Sequence, residues 1–262
     1  MKSKKIGLAL GAGGARGIAH IGVLKAMAEA EINISYLSGA SMGALIGAAY
    51  AIGMSAADIE KEALKNKKRI TKFIDINRPS GSILKGKKAA KYINELLKNK
   101  SFKDTLIPFR VIATDLETGN EVIIKSGKLA DAVMASISVP GIFPPVKTGK
   151  KYLIDGGVVN PTPVDIVKKM GADIIIGVDL IMRQKSRLVN PGLITTIMHT
   201  YEIMRTQAVK QKIKHLNEET IIIKPKIGNT IDSYKFKDVK KFINEGEIAA
   251  EKAMPKILNK LK

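Results

Sequence analysis

The stretch Lys5-Ile6-Gly7-Leu8-Ala9-Leu10-Gly11-Ala12-Gly13-Gly14-Ala15-Arg16-Gly17 changes character at its midpoint. The short apolar run reads as a buried strand, and the glycines at 11, 13 and 14 cut it off. Beyond them Ile18, Ile21, Val23, Leu24, Met27 and Ala28 recur at three- and four-residue spacing, the stripe of a core-facing helix. The pattern then repeats. Ile34–Ser38 is a second apolar strand, Gly39-Ala40-Ser41-Met42-Gly43 is a tight turn, and Met42–Gly53 is a helix of small residues. Strand, helix, strand, helix in this order predicts an α/β fold, a parallel sheet covered by helices.

The same reading gives strands at Phe109–Thr114, Glu121–Lys125, Tyr152–Ile154, Ile174–Val178 and Thr220–Ile223. Short helices are expected near Leu129–Ser136 and Pro163–Met170, with a Pro-rich loop, Val139–Pro145, after the first. Helices at 56–66 and 86–98 flank a loop around Asn77-Arg78-Pro79-Ser80-Gly81, and longer helical patterns run over 190–215 and 236–259. There is neither an internal repeat nor a linker-like stretch. Residues 1–262 therefore read as one domain, with a helical insertion at about 55–103 and a C-terminal extension at about 183–262.

Composition narrows the function. The chain has 262 residues and no cysteine, which excludes disulfide scaffolds, thiolate metal sites and Cys nucleophiles. Three histidines, His20, His199 and His215, are too few for a His-built metal cage, and each reads as an ordinary helix residue. The net charge of +20 invites an anionic partner such as nucleic acid or an acidic lipid surface. Its distribution is uneven: residues 61–103 hold 14 Lys and Arg against 3 Asp and Glu, and 183–262 hold 17 against 8. The remainder is neutral. With no Trp, few aromatics and no basic repeat, a base-stacking surface is poorly supported and no nucleic acid is expected. Ile32–Ala57 is long enough to span a bilayer but carries serines and glycines that suit a strand, a turn and a buried helix better. The basic start and apolar stretch of Met1–Leu10 run into glycines and Arg16 instead of a signal-peptide h-region, so a cytoplasmic protein is expected.

Three constellations could carry chemistry. Gly11 to Gly17, between strand and helix, could aim backbone N–H groups at a phosphate or an oxyanion. A dinucleotide loop would have glycine where Arg16 stands and an acid after the second strand, where Ser38 stands. Gly39-Ala40-Ser41-Met42-Gly43 has the form of a nucleophile elbow, which exposes a serine hydroxyl at a sharp strand-to-helix turn. A serine needs a base. Asp155 in Asp155-Gly156-Gly157 follows a strand and can turn there; Asp115 and Asp179 also end strands and are rivals.

These pieces in this order resemble the patatin-like phospholipase family, most closely its small bacterial members akin to the neuropathy-target-esterase catalytic domain. The similarity covers about residues 5–180 and takes in Ile112-Ala113-Thr114-Asp115-Leu116, Ala135–Pro145 and Gly156-Gly157-Val158-Val159-Asn160. Many relatives have threonine where this chain has Ala40 and glycine where it has Ala12; neither change removes a reacting group. The resemblance implies a three-layer α/β fold, with a mostly parallel central sheet and helices on both faces, related to the α/β hydrolases. It implies a serine acyl hydrolase of lipid esters (phospholipid, lysophospholipid or acylglycerol) with a Ser41–Asp155 dyad and no metal or cofactor. Gly11, Gly13, Gly14, Arg16 and Gly17 would form the oxyanion loop, with Arg16 orienting it. Gly39 and Gly43 would flank the nucleophile, and Gly156 and Gly157 would follow the base. An acyltransferase using the same dyad stays open, as do, further off, a nucleotide-binding protein and a non-catalytic lipid-binding one. The basic segments are expected to rim the site and attract an anionic membrane surface, or to be only a solvated face.

Overall fold

A computed structural model describes residues 4–65, 86–180, 192–214, 219–227 and 238–261. The loop around Asn77–Gly81, His215 and the first residues of the two C-terminal helical patterns lie outside them. Eight strands form one sheet: β1 Ile6–Leu10, β2 Ile34–Ala40, β3 Phe109–Asp115, β4 Glu121–Ile124, β5 Val146–Thr148, β6 Lys151–Asp155, β7 Ile174–Val178 and β8 Thr220–Ile223. The helices are α1 Ala19–Glu29, α2 Met42–Ala51, α3 Ala56–Lys65, α4 Lys87–Leu96, α5 Leu129–Ser136, α6 Val164–Lys169, α7 Leu193–Lys214 and α8 Val239–Leu261. Hydrogen-bonded neighbours follow the path β5-β6-β3-β2-β1-β7-β8, with β4 also paired to β3; the pairings are parallel from β3 through β2, β1 and β7 to β8 and antiparallel at β4, β5 and β6.

The three layers follow from strand alternation. Ile6, Leu8 and Leu10 of β1 join Ile174, Ile176 and Val178 of β7 in the large core, with α1, α2 and α8. The intervening Ala9 and Ile175 turn to the other face and pack on Val164 and Val167 of α6. Both faces of the central strands are covered, which is why their sequences read as continuous apolar runs.

Local details differ from the sequence expectation. A 3-10 turn, Gly14–Ile18, separates the glycine loop from α1, β2 runs two residues further to Ala40, and β5 adds a hairpin to β6. α8, in the C-terminal extension, contributes Val239, Phe242, Ile243, Ala250 and Ile257 to the large core. α8 crosses α1 so closely that a Cβ on Gly22 would lie 1.9 Å from the Ile243 carbonyl oxygen, and one on Gly246 would lie 2.0 Å from that of Ala19.

The arrangement around β3 decides where the site lies. β2 pairs with Phe109–Ile112, while β4 pairs with Val111–Thr114 and so occupies the opposite edge. β6 pairs with Ala113–Asp115 and must therefore continue along the edge that β2 has left. The two strands meet end to end: Ala40 is opposite Ile112 and Asp155 is opposite Ala113. The residues that follow β2 and end β6 are thereby brought together.

Candidate active site

Ser41 caps α2 at φ 55° and ψ −125°, a backbone conformation that L-residues rarely adopt and that costs about 1–3 kcal/mol. The strain is held by its neighbours. A Cβ on Gly39 would lie 2.4 Å from the Gly43 carbonyl oxygen, and one on Gly43 would lie 2.1 Å from that of Leu10. Only glycine on both sides lets the turn close this tightly. The Ser41 N–H donates to Ser136 Oγ at 2.8 Å, and that hydroxyl donates to the Ile112 carbonyl at 2.6 Å, so α5 braces the elbow against β3. Ser136 sits within the Ala135–Pro145 motif but has no signature of its own, so sequence reading gave it no role.

Asp155 is fully buried. Its backbone is pinned by its N–H donating to the Ser138 carbonyl (3.0 Å) and its own carbonyl accepting from Thr114 Oγ1 (2.8 Å). Carboxylate Oδ1 accepts from the Gly157 N–H at 2.6 Å and from the Tyr201 hydroxyl at 2.9 Å. Oδ2 is buried without a hydrogen-bond partner among the described residues. Burial pushes the carboxyl above its ordinary pKa; the nearby Ser41 hydroxyl is the largest of the influences that oppose this, followed by Gly157, Arg205 and Tyr201. Ser41, which follows β2, and Asp155, which ends β6, are brought to the same place on β3.

The rival carboxylates are placed elsewhere. Asp115 is engaged by Lys151 Nζ at 3.2 Å and by the Glu117 N–H. Asp179 follows β7, which is separated from β2 by β1. His20 Nε2 donates to the Gly11 carbonyl at 2.7 Å, and burial lowers its pKa to about 4, so it holds the glycine loop as a neutral ring. His199 lies on α7.

The glycine loop folds over the elbow. Its backbone hydrogen bonds stop at Ala12, which donates to the Pro161 carbonyl, and resume at Arg16, which donates to that of Gly13. The N–H groups of Gly13 and Gly14 fall between, at the start of the 3-10 turn, where helix geometry leaves donors unpaired. The Arg16 side chain is buried, its Nε donating to the Gly13 carbonyl at 3.3 Å and its Nη2 to Glu202 Oε1 at 2.8 Å. Arg205 Nη1 donates to the same Glu202 oxygen at 2.7 Å, and its Nη2 donates to the Ala12 carbonyl. Tyr201, Glu202 and Arg205 thus reach the site from α7. Sequence reading missed them, because a Tyr-Glu-x-x-Arg turn in a helix says nothing of partners far away in the chain.

In front of Ser41 opens a cavity whose lining is almost wholly apolar. Gly14 and Ser41 stand at one side, with Leu45 and Ile46 of α2. Ile59 and Ala63 of α3, Ala89 and Ile93 of α4, and Val139, Ile142 and Phe143 of the Pro-rich loop extend it, with Glu62 the charged side chain in the lining. α3 and α4 turn these apolar faces inward while Lys61, Lys65, Lys87, Lys88 and Lys91 are exposed.

Residues 8–168 match the family model for patatin-like phospholipases. The chain belongs to the patatin-like phospholipase family. Two curated relatives of this patatin-like chain are the neuropathy target esterase sws of Drosophila melanogaster, 35% identical over 198 residues, and patatin-like phospholipase domain-containing protein 6 of Homo sapiens, 35% identical over 181. The matches cover 73% and 67% of this chain but only 14% and 13% of those much longer proteins. An uncharacterised NTE family protein of Mycobacterium tuberculosis is 33% identical over 68% of this chain and 49% of its own length. Among solved structures, VipD from Legionella pneumophila shares the fold, with a TM-score of 0.55 at 14% identity, covering 98% of this chain and 67% of that one. Among the described residues no helix is long and apolar enough to cross a membrane.

Proposed function

We propose that this protein hydrolyses carboxylic esters of lipids through a Ser41–Asp155 dyad. The observation that carries the reading is the end-to-end meeting of β2 and β6 on β3, which sets a strained serine and a buried carboxylate together beside an apolar cavity. Ser41 Oγ attacks the ester carbonyl carbon while its proton passes to Asp155 Oδ2. The oxyanion is received by the N–H groups of Gly13 and Gly14, each contributing about 3–4 kcal/mol to the transition state in comparable sites. Asp155 returns the proton to the leaving alcohol, and the acyl group stays on Ser41. Water then attacks that ester, Asp155 taking its proton and returning it to Ser41 as the acid departs. Burial supports Asp155 in this role, since a carboxylate with a raised pKa is a stronger base. The apolar lining supports an acyl chain as its occupant, and the family names of the relatives support a lipid ester.

The test is labelling with a fluorophosphonate, which reports an activated serine independently of the natural substrate. Wild type is expected to label and Ser41→Ala to remain unlabelled; equal labelling of the two, or none in wild type, would sink the proposal.

The lysines on the outer faces of α3 and α4 support a second part of the reading. They are exposed on two helices that wall the cavity, and we place them against an anionic lipid surface, where each contributes up to ~1 kcal/mol. Cosedimentation is expected to favour anionic over zwitterionic vesicles at low salt and to lose that preference at high salt. Equal binding to both vesicle types at low salt counts against it.

A further inference from the structure

The hydroxyl that completes the Asp155 environment comes from α7, beyond the residues that match the family model. Tyr201 is buried, and the Arg205 guanidinium lies 5.4 Å from its ring centroid, so the ring is clamped from its own helix one turn on. On the other side the glycine at 157 makes room: a Cβ there would lie 2.6 Å from the Tyr201 hydroxyl and 2.7 Å from Ala12 Cβ. The bare position after Asp155-Gly156 is what admits the hydroxyl. Oδ1 is then saturated by two donors, while Oδ2 has none among the described residues.

We propose that Tyr201 is a positioning residue for Asp155, fixing the carboxylate through Oδ1 so that Oδ2 stays open to the Ser41 proton. The inference rests on the reading of Asp155 as the base. A donor to the ionised carboxylate also favours that form against burial. The ionisable and charged groups gathered round Asp155 are Tyr201 and Arg205 from α7, with Glu202 and Arg16 joined to Arg205 behind them. Tyr201→Phe keeps the ring and removes only the hydroxyl.

The experiment is a pH–rate profile with a soluble p-nitrophenyl ester for wild type, Tyr201→Phe, Gly157→Ala, Ser41→Ala and Asp155→Asn. In Tyr201→Phe, kcat is expected to fall about tenfold with KM within twofold, in keeping with loss of a hydrogen bond to a charged group. The acid limb of kcat/KM should move to higher pH, because the ionised carboxylate has lost a donor. Gly157→Ala, which displaces the hydroxyl instead of deleting it, should move the limb in the same direction. If Tyr201→Phe leaves kcat and the acid limb where they are, or lowers kcat without moving the limb, while Ser41→Ala and Asp155→Asn are inactive, the role of Tyr201 is overturned and the dyad stands. If Ser41→Ala or Asp155→Asn keeps wild-type turnover, the dyad itself falls.

Discussion

Asp155→Asn is expected to lower kcat for ester hydrolysis by about 10³-fold or more while raising thermal stability at neutral pH. The first effect is the loss of the carboxylate that the meeting of β2 and β6 on β3 brings to Ser41. Asn accepts no proton at the pH of the reaction, and removing a positioned general base typically costs up to about 10⁴-fold. The second effect follows from burial. Desolvation holds the Asp155 carboxyl above its ordinary pKa, and Ser41, Gly157, Arg205 and Tyr201 only partly offset it. A group whose folded-state pKa is raised contributes its full stability below the unfolded value, near ~3.9, and loses it as pH rises through the folded value. At pH 7 the ionised carboxylate therefore costs stability, and Asn, which keeps an acceptor for Gly157 and Tyr201, removes that cost. Differential scanning calorimetry should give a higher Tm than wild type at pH 7, with the gap closing as pH falls below the raised pKa. The same titration puts the acid limb of the wild-type kcat/KM profile above the usual carboxylate range. A variant with wild-type turnover would return the choice of base to Asp115 or Asp179. Equal Tm values at pH 7 and in acid would remove burial as the source of basicity.

What the sequence disclosed, and what it withheld, divides along the reach of the interactions. Gly39 and Gly43 mark the elbow because a side chain at either position would strike backbone within a few residues or in the adjoining strand. Such demands are local, so they are written as residue types at fixed spacing. The parallel order of β1 and β2 was legible for the same reason, as strand and helix periods alternate along the chain. Which of Asp115, Asp155 and Asp179 meets the end of β2 was not local, since all three end or follow a strand. It depends on β6 taking over the edge of β3 that β2 leaves, a fact of topology. The least legible part is α7. Its 22 residues carry a basic, weakly amphipathic pattern, which reads as a solvated extension. Yet Glu202 pairs with Arg16, 186 residues away, and Arg205 reaches the Ala12 carbonyl from 193 away. The even spread of positive charge over the tail conceals that one of its arginines is buried at the site.

That buried cluster bears the largest stability effect we expect. One oxygen of Glu202 accepts from Arg16 at 2.8 Å and Arg205 at 2.7 Å, and both guanidinium groups are about 1% exposed. With Asp155 nearby, two cations face two anions in a region closed to water. Removing Glu202 takes from both buried arginines the carboxylate they share, and breaking a buried pair from one side costs about 3–5 kcal/mol. Glu202→Ala should therefore lower Tm by about 10 °C at neutral pH for a chain of this size. The effect has a direction in pH as well. Burial pushes the Glu202 carboxyl up, but Arg205 and Arg16 together hold it below its ordinary range. A lowered folded-state pKa means stability that is present above the unfolded value, near ~4.3, and lost as pH falls through the folded one. The penalty of Glu202→Ala should thus be full at pH 7 and shrink only in strong acid. Glu202→Gln, which keeps an acceptor but no charge, should lose less than Ala. A Tm within a degree or two of wild type for Glu202→Ala at pH 7 would mean that water or another group takes over the two arginines. In that case Arg16, whose Nε holds the Gly13 carbonyl, would not depend on α7 for its place in the glycine loop. A large loss accompanied by slower fluorophosphonate labelling of the folded fraction would tie the loop to the helix, since the donors of Gly13 and Gly14 ride on the segment that Arg16 anchors.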